Sequence, residues 1–221
     1  FTSVPGEVVL RHNPDIDELV VLPGDQYALD QEIPGLMTLR PWTRFFTPAA
    51  YMNYEAIPGG SIYHPKGTIF GLVRAGARLD WTVPFTFPFV LTADEQAEAR
   101  AFWNTLPSGK RILVETDYRS EQSPWTDEYN FDMLTALKDC DPVFVFTAKE
   151  RPSFFERFHA QHPKSAWCHL PFRLNAELFN LCDAYVGVSS GISCLTYSEY
   201  CRTDVPRIEV TRGEHWGAAE L

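Results

Sequence analysis

An α/β fold with a parallel, doubly wound sheet in the C-terminal half is the architecture this sequence predicts, and three observations carry it. From Lys110 onward short apolar runs recur, among them Ile112-Leu113-Val114, Val143-Phe144-Val145-Phe146 and Ala184-Tyr185-Val186-Gly187-Val188. Strands buried on both faces of a parallel sheet read as near-continuous apolar runs of this kind. Between the runs lie stretches of helical length, and strand–helix alternation over short loops is the pattern of a parallel sheet. Residues 1 to about 90 lack that regularity, which predicts a separate and less regular α/β unit there.

The elements follow in order. Glu7–Leu10 predicts a short strand, His12-Asn13-Pro14-Asp15 a turn and Leu19–Leu22 the next strand, with a further strand at Ile69–Val73. Tyr51–Tyr54 and Leu72–Leu79 read as short helices, and Pro23-Gly24-Asp25, Ile57-Pro58-Gly59-Gly60 and His64-Pro65-Lys66-Gly67 as turns. Trp81–Val90, with Pro84 and Pro88, reads as an extended connector. Thr92 followed three residues later by Glu95 is a capping-box signature, opening a helix that Pro107-Ser108-Gly109 ends. Strands are then expected at Arg111–Glu115, Pro142–Thr147, Ala166–Leu170, Ala184–Val188 and Arg207–Val210. Helices are expected at Asp127–Lys138, Ser153–Ala160, Asn175–Leu181 and Cys194–Tyr200. The organisation predicted is a partial N-terminal unit over 1–90, a connector helix over 91–108 and a Rossmann-like unit over 109–221.

Composition narrows the function. A formal net charge of −10 argues against a partner bound through its phosphate backbone, so no nucleic acid is expected. No apolar run approaches the ~18 residues of a membrane-spanning helix. The five cysteines form no CxxC pair, and they read as small buried hydrophobes in a reducing, cytoplasmic setting. The six histidines show no ligand spacing, so no metal is expected. Neither GxGxxG nor GxxxxGK[ST] occurs, against a dinucleotide oxidoreductase or a P-loop NTPase, and no GxSxG elbow is expected to anchor a hydrolase triad. The opening residues read as the middle of a domain, with further chain expected before Phe1.

Ligands of doubly wound sheets bind at the carboxyl ends of the strands, so the loops there supply the candidates. Ala184–Val188 runs into Ser189-Ser190-Gly191-Ile192-Ser193. A strand feeding a helix through small hydroxyl residues and a glycine offers backbone N–H groups to an anion. The same residues equally suit an ordinary helix cap. Thr116 and Arg119 lie in the long loop after Glu115. Arg119 suits a bidentate phosphate clamp, and suits as well a surface arginine paired with Asp117 or Glu121. Thr147 and Lys149 end the next strand and bring a hydroxyl and an ammonium to the same crevice. Glu214, after the last strand, could accept from a ribose, while Trp216 could stack on a base or simply cover the sheet edge.

Two segments resemble a known family. Leu174–Gly191 resembles the donor-site segment of bacterial heptosyltransferase-like glycosyltransferases (the ADP-heptose:LPS heptosyltransferase type). There, a helix with the pattern L-x-E-L-x-x-L-x-x-x-A-D precedes x-x-G-x-D-[ST]-G. Asn13-Pro14-Asp15-Ile16-Asp17-Glu18-Leu19 is similar to that family's N-P-x-[IV]-D-E-[IV] segment. Ser189 stands where the family pattern has aspartate, and Arg119 is the only cation near the Ser123-Pro124-Trp125 segment, where the family has lysine. The resemblance implies a GT-B fold of two Rossmann-like units. It also implies a nucleotide-sugar donor held by Ser189, Ser190, Gly191 and Ile192, no metal or other cofactor, and a catalytic base upstream of Phe1.

The expected function is transfer of a hexosyl or heptosyl group from a nucleotide diphosphate to a glycan or lipid-linked hydroxyl acceptor. The setting would be the cytoplasm, with peripheral association at the inner face of the membrane, within a larger polypeptide. The rivals are a non-catalytic GT-B-like module that binds a nucleotide or glycan and, more distantly, a nucleotide-sugar epimerase.

Overall fold

Residues 2–23, 87–116, 126–188 and 190–210 are described by the computed structural model, with side chains from Gly6 onward. The chain divides into two compact units between Thr86 and Phe87.

In the first unit, β1 (Thr2–Ser3) and β2 (Val21–Leu22) pair in parallel across helix α1 (Val4–Leu10). The strand expected at Glu7–Leu10 is therefore a helix. A run this short carries no decisive period, and the Glu7 carboxylate takes both Nε and Nη2 of Arg11, one turn later, at 2.8 and 2.6 Å. An i,i+4 pair of this kind favours helix over strand. His12, at φ 66°, ends α1 in the left-handed conformation, and Asn13 Oδ1 accepts from Asp15 N–H in the expected turn. The strand expected at Leu19–Leu22 is shortened to Val21–Leu22. The elements expected at 51–54, 69–73 and 72–79 lie outside the described residues.

The second unit holds a five-stranded, wholly parallel sheet. Its strands are β3 (Arg111–Glu115), β4 (Val143–Phe146), β5 (Ala166–Trp167), β6 (Ala184–Val188) and β7 (Arg207–Val210), in the order β5-β4-β3-β6-β7. The chain winds outward from β3 to β5, then returns to β6 on the other side. That reversal makes the carboxyl ends of β3 and β6 the topological switch point. Ile112, Val114, Phe144, Phe146 and Val186 point to one face. They pack with Leu134 of α3 (Asp127–Ala136) and with Phe154, Phe155 and Phe158 of and just before α4 (Phe155–Gln161). Edge-to-face ring pairs, such as Phe144–Phe158 at 5.1 Å and Phe146–Phe155 at 5.3 Å, fix this layer. The alternate residues, Leu113, Val145 and Tyr185, face the opposite side, where Phe179 of α5 (Asn175–Leu181) meets the Tyr185 ring at 5.9 Å.

Helix α2 (Ala93–Asn104) opens with the expected capping box. Thr92 Oγ1 accepts from Glu95 N–H at 3.2 Å, and Glu95 Oε2 accepts from Thr92 N–H at 2.8 Å. Glu95 also holds the buried Arg173 guanidinium, at 2.6 Å from Nε and 3.2 Å from Nη2. Arg100 Nε bonds to the buried carboxylate of Glu177 on α5 at 2.6 Å. Two ion pairs thus tie α2 to α5 and to Arg173 just before it, within the C-terminal unit.

Helix α6 (Gly191–Leu195) corrects the expected Cys194–Tyr200 helix: it starts three residues earlier and stops after five residues. The Ser190–Ser193 capping box sets its start. Residues beyond it leave the helical path for other partners: Glu199 N–H bonds to Phe87 O, and Tyr200 O accepts from Asn180 Nδ2. Among the described residues no helix is long and apolar enough to cross a membrane.

Candidate functional site

At the carboxyl ends of β3 and β4 lies an open crevice of about 280 Å³, lined by Thr116, Asp127, Ala148, Lys149, Glu150, Arg151 and Pro152. This is just below the ~300–1,000 Å³ of pockets that enclose whole small ligands, so it accommodates part of a larger one. The register explains why these residues meet. Val114 pairs with Phe146, so the chains leaving β3 and β4 emerge side by side. Thr116 follows β3, while Lys149 and Arg151 follow β4, and Asp127 is the first residue of α3. Thr126 caps that helix, its Oγ1 accepting from Tyr129 N–H at 3.3 Å.

Lys149 is exposed. The Arg151 guanidinium is held in place, lying 5.3 Å from the Phe155 ring and 5.1 Å from the Trp167 ring and paired with Glu156. Trp167 is itself fixed by its indole N–H, which donates to Ala148 O at 3.0 Å. Two cations thus share the crevice with two carboxylates, Asp127 and Glu150. The lining carries no excess of positive charge, so an anion there would be held only through directed donors.

The expected site residues separate into two groups. Thr116 and Lys149 come together in the crevice. Thr147 is buried beneath it, its Oγ1 donating to Glu115 Oε2 at 3.0 Å, so it fastens β4 to β3. Ser190, Gly191, Ile192 and Ser193 form the first turn of α6, on the far side of β3. Arg119, Ser189 and Glu214 lie outside the described residues. Asp127, Glu150 and Arg151 are charged crevice residues that the sequence expectations did not include. The signal for Arg151 was its place in the Thr147–Pro152 loop, and that for Asp127 was its place at the start of a predicted helix.

The α6 turn is bonded to itself. Ser190 Oγ accepts from Ile192 N–H and Ser193 N–H, each at 3.2 Å, and Ser193 Oγ accepts from Ser190 N–H at 2.9 Å. Of the first-turn donors, only Gly191 N–H is left without a bond among the described residues. Gly191 has no positive φ, and a Cβ there would sit 3.4 Å from the Phe172 ring. Contrary to the expectation that no nucleophile elbow occurs, Gly187-Val188-Ser189-Ser190-Gly191 fits the spacing G-x-S-x-G, Gly187 standing two residues before Ser189. An elbow uses the N–H after its serine as an oxyanion donor, and here that N–H is engaged by Ser193.

Burial holds the thiols of Cys168 and Cys201 up to about 11 and that of Cys182 up to about 12, so all three are inert protonated groups at neutral pH. Among the described residues no group of three or more His, Cys, Asp or Glu could hold a metal ion.

No family model matches the chain, and no curated protein matches it in sequence. In three dimensions it is similar to the crystal structure of the glycosyl transferase family 9 from Veillonella parvula DSM 2008. The TM-score is 0.56 at 12% identity, over 97% of this chain and 81% of that one. The chain therefore has a mixed α/β fold of the GT-B-like kind, its parallel sheet in the C-terminal unit.

Proposed function

We propose that the chain is a glycosyltransferase whose C-terminal unit binds a nucleotide-diphosphate sugar. The observation that carries this reading is the crevice at the carboxyl ends of β3 and β4, where Lys149 and Arg151 meet Thr116 on a GT-B-like fold. The donor diphosphate lies against Lys149 and Arg151, with Thr116 Oγ1 donating to an oxygen. As the glycosidic bond breaks, negative charge grows on the diphosphate. Fixed cations stabilise that charge more than the ground state, which lowers the barrier. Deprotonation of the acceptor hydroxyl falls to a carboxylate outside the C-terminal unit. The acceptor class is a glycan or a lipid-linked hydroxyl. The cations take the part a divalent metal plays elsewhere, so the reaction proceeds in chelator.

A second reading is a non-catalytic nucleotide- or glycan-binding module, and the self-bonded α6 turn favours it, because its N–H groups are largely unavailable to a phosphate. Incubating the chain with UDP-glucose, GDP-mannose and ADP-glucose in EDTA, with and without a glycan acceptor, separates the two. Release of nucleoside diphosphate supports the transferase. Saturable binding with no release over days supports the module.

A further inference from the structure

A row of polar groups crosses the sheet at the switch point, its outer carboxylates already engaged, Glu115 Oε2 accepting from Thr147 Oγ1 at 3.0 Å and Glu209 Oε2 from Tyr197 Oη at 3.4 Å. Glu115 of β3 is in register with Gly187 of β6, which is in register with Glu209 of β7. Tyr185, two residues before Gly187, points to the same face. Its ring leans along the strand over the glycine. A Cβ at Gly187 would fall 2.2 Å from Tyr185 Oη and 2.4 Å from Cζ. The missing side chain is what makes room for the phenol beside Gly187, with a carboxylate on each flanking strand.

Tyr185 is 1% exposed, and its Oη has no hydrogen-bond partner among the described residues. Ser190 lies near enough to interact with it but not in bonding geometry, and Ser190 Oγ is already taken by two backbone donors. Burial, then the charges of Glu115 and Glu209, push the phenol well above its ordinary range, so Oη stays a donor. Buried polar atoms are as a rule bonded, so an orphan donor calls for an explanation.

We propose that Tyr185 Oη, with Glu115 and Glu209, forms a subsite for a hydroxyl group of the donor's sugar. The subsite rests on the nucleotide-sugar reading above and deepens it. Two observations select a neutral hydroxyl over a phosphate. The flanking carboxylates repel an anion, and of the neighbouring α6 N–H donors those of Ser190, Ile192 and Ser193 are spent on the helix's own cap, leaving only that of Gly191. A sugar hydroxyl accepts from Tyr185 and donates to a carboxylate, which suits a row with one donor between two acceptors. The diphosphate then stays with the cations between β3 and β4, and the sugar reaches across β3 toward β6.

The test is calorimetric titration of the 221-residue chain and its Tyr185→Phe variant with the pairs UDP and UDP-glucose, GDP and GDP-mannose, and ADP and ADP-glucose. Tyr185→Phe keeps the ring contact with Phe179 and removes only an unpartnered hydroxyl, so the variant folds and melts no lower than the parent. Expected is unchanged affinity for the nucleoside diphosphate and an affinity about 3- to 10-fold weaker for the matching sugar nucleotide, the size of one neutral hydrogen bond. Equal affinity of parent and variant for both members of the pair overturns the subsite. So does an equal loss for both, which places the hydroxyl's role in the fold. If the parent binds none of the six probes, the nucleotide-sugar reading itself fails and the subsite falls with it.

Discussion

Ser190 and Ser193 hydrogen-bond to each other's backbone, Ser190 Oγ taking Ser193 N–H at 3.2 Å and Ser193 Oγ taking Ser190 N–H at 2.9 Å. The residues that best suited a phosphate cradle in sequence thus serve first as a helix cap. Ser190→Ala should lower stability by about 0.5–2 kcal/mol, as loss of an N-cap does, and chemical denaturation with unchanged m-value would register it. Gly191→Ala should cost less than that, since the position has no positive φ and its Cβ would meet only the edge of Phe172. Neither change should create or remove esterase activity toward p-nitrophenyl acetate, because the oxyanion donor of the elbow pattern is already bonded.

Gly187 is under a different constraint. A methyl there would collide with the Tyr185 ring, so Gly187→Ala should destabilise by about 1–3 kcal/mol, the range for overpacking a core. In a Tyr185→Ala background the same change should cost much less. Additive costs in that double-mutant cycle would show that the ring is not what Gly187 makes room for.

Glu95 belongs at once to the α2 capping box and to the Arg173 ion pair. Arg173→Met should cost about 1.5–3 kcal/mol by removing a buried guanidinium from the half-buried Glu95 carboxylate, which keeps its bond from Thr92 N–H. Combining it with Glu95→Gln should recover part of that loss. Thermal melts of the two single variants and the double variant check this, and full additivity would mean that the pair is not coupled.

His162 stacks on Phe158 at 4.4 Å with its Nε2 buried and unbonded. Burial first, and then Lys138, hold its pKa below the ordinary 6.5. The unfolded chain therefore takes up this proton more readily than the folded one. The stability tied to neutral His162 is complete above pH 6.5 and is lost as pH falls through 6.5 toward the lower folded value. Melting temperature should drop over that window, and His162→Phe should flatten the drop. Parallel curves for parent and variant would remove His162 from the explanation.

Much of the C-terminal sheet was legible because its strands are nearly pure apolar runs. Ile112–Val114 and Val143–Phe146 admit little else, and Thr92 with Glu95 marked the start of α2, though it ends at Asn104, short of the expected 108. Val8–Leu10 misled because three apolar residues carry no period, and the deciding contact, Glu7 with Arg11, lies outside the run. The α6 turn showed its hydroxyls but not their partners, so cap and cradle read alike. Arg151 was hidden because it gains meaning only beside Trp167, sixteen residues away, once β4 and β5 pair. The orphaned Tyr185 hydroxyl was beyond any linear reading. It depends on a register that sets Gly187 between Glu115 and Glu209.

Replacing the crevice cations tests the account most directly. In EDTA, calorimetric titration with UDP, GDP and ADP should find one nucleoside diphosphate that binds the parent chain. Lys149→Ala and Arg151→Ala should each weaken it by about 1.5–3 kcal/mol, the worth of a charge-assisted hydrogen bond, with the folded state intact by circular dichroism. Binding that survives loss of both cations, or that appears only when a divalent metal is added, would contradict the placement of the diphosphate between β3 and β4.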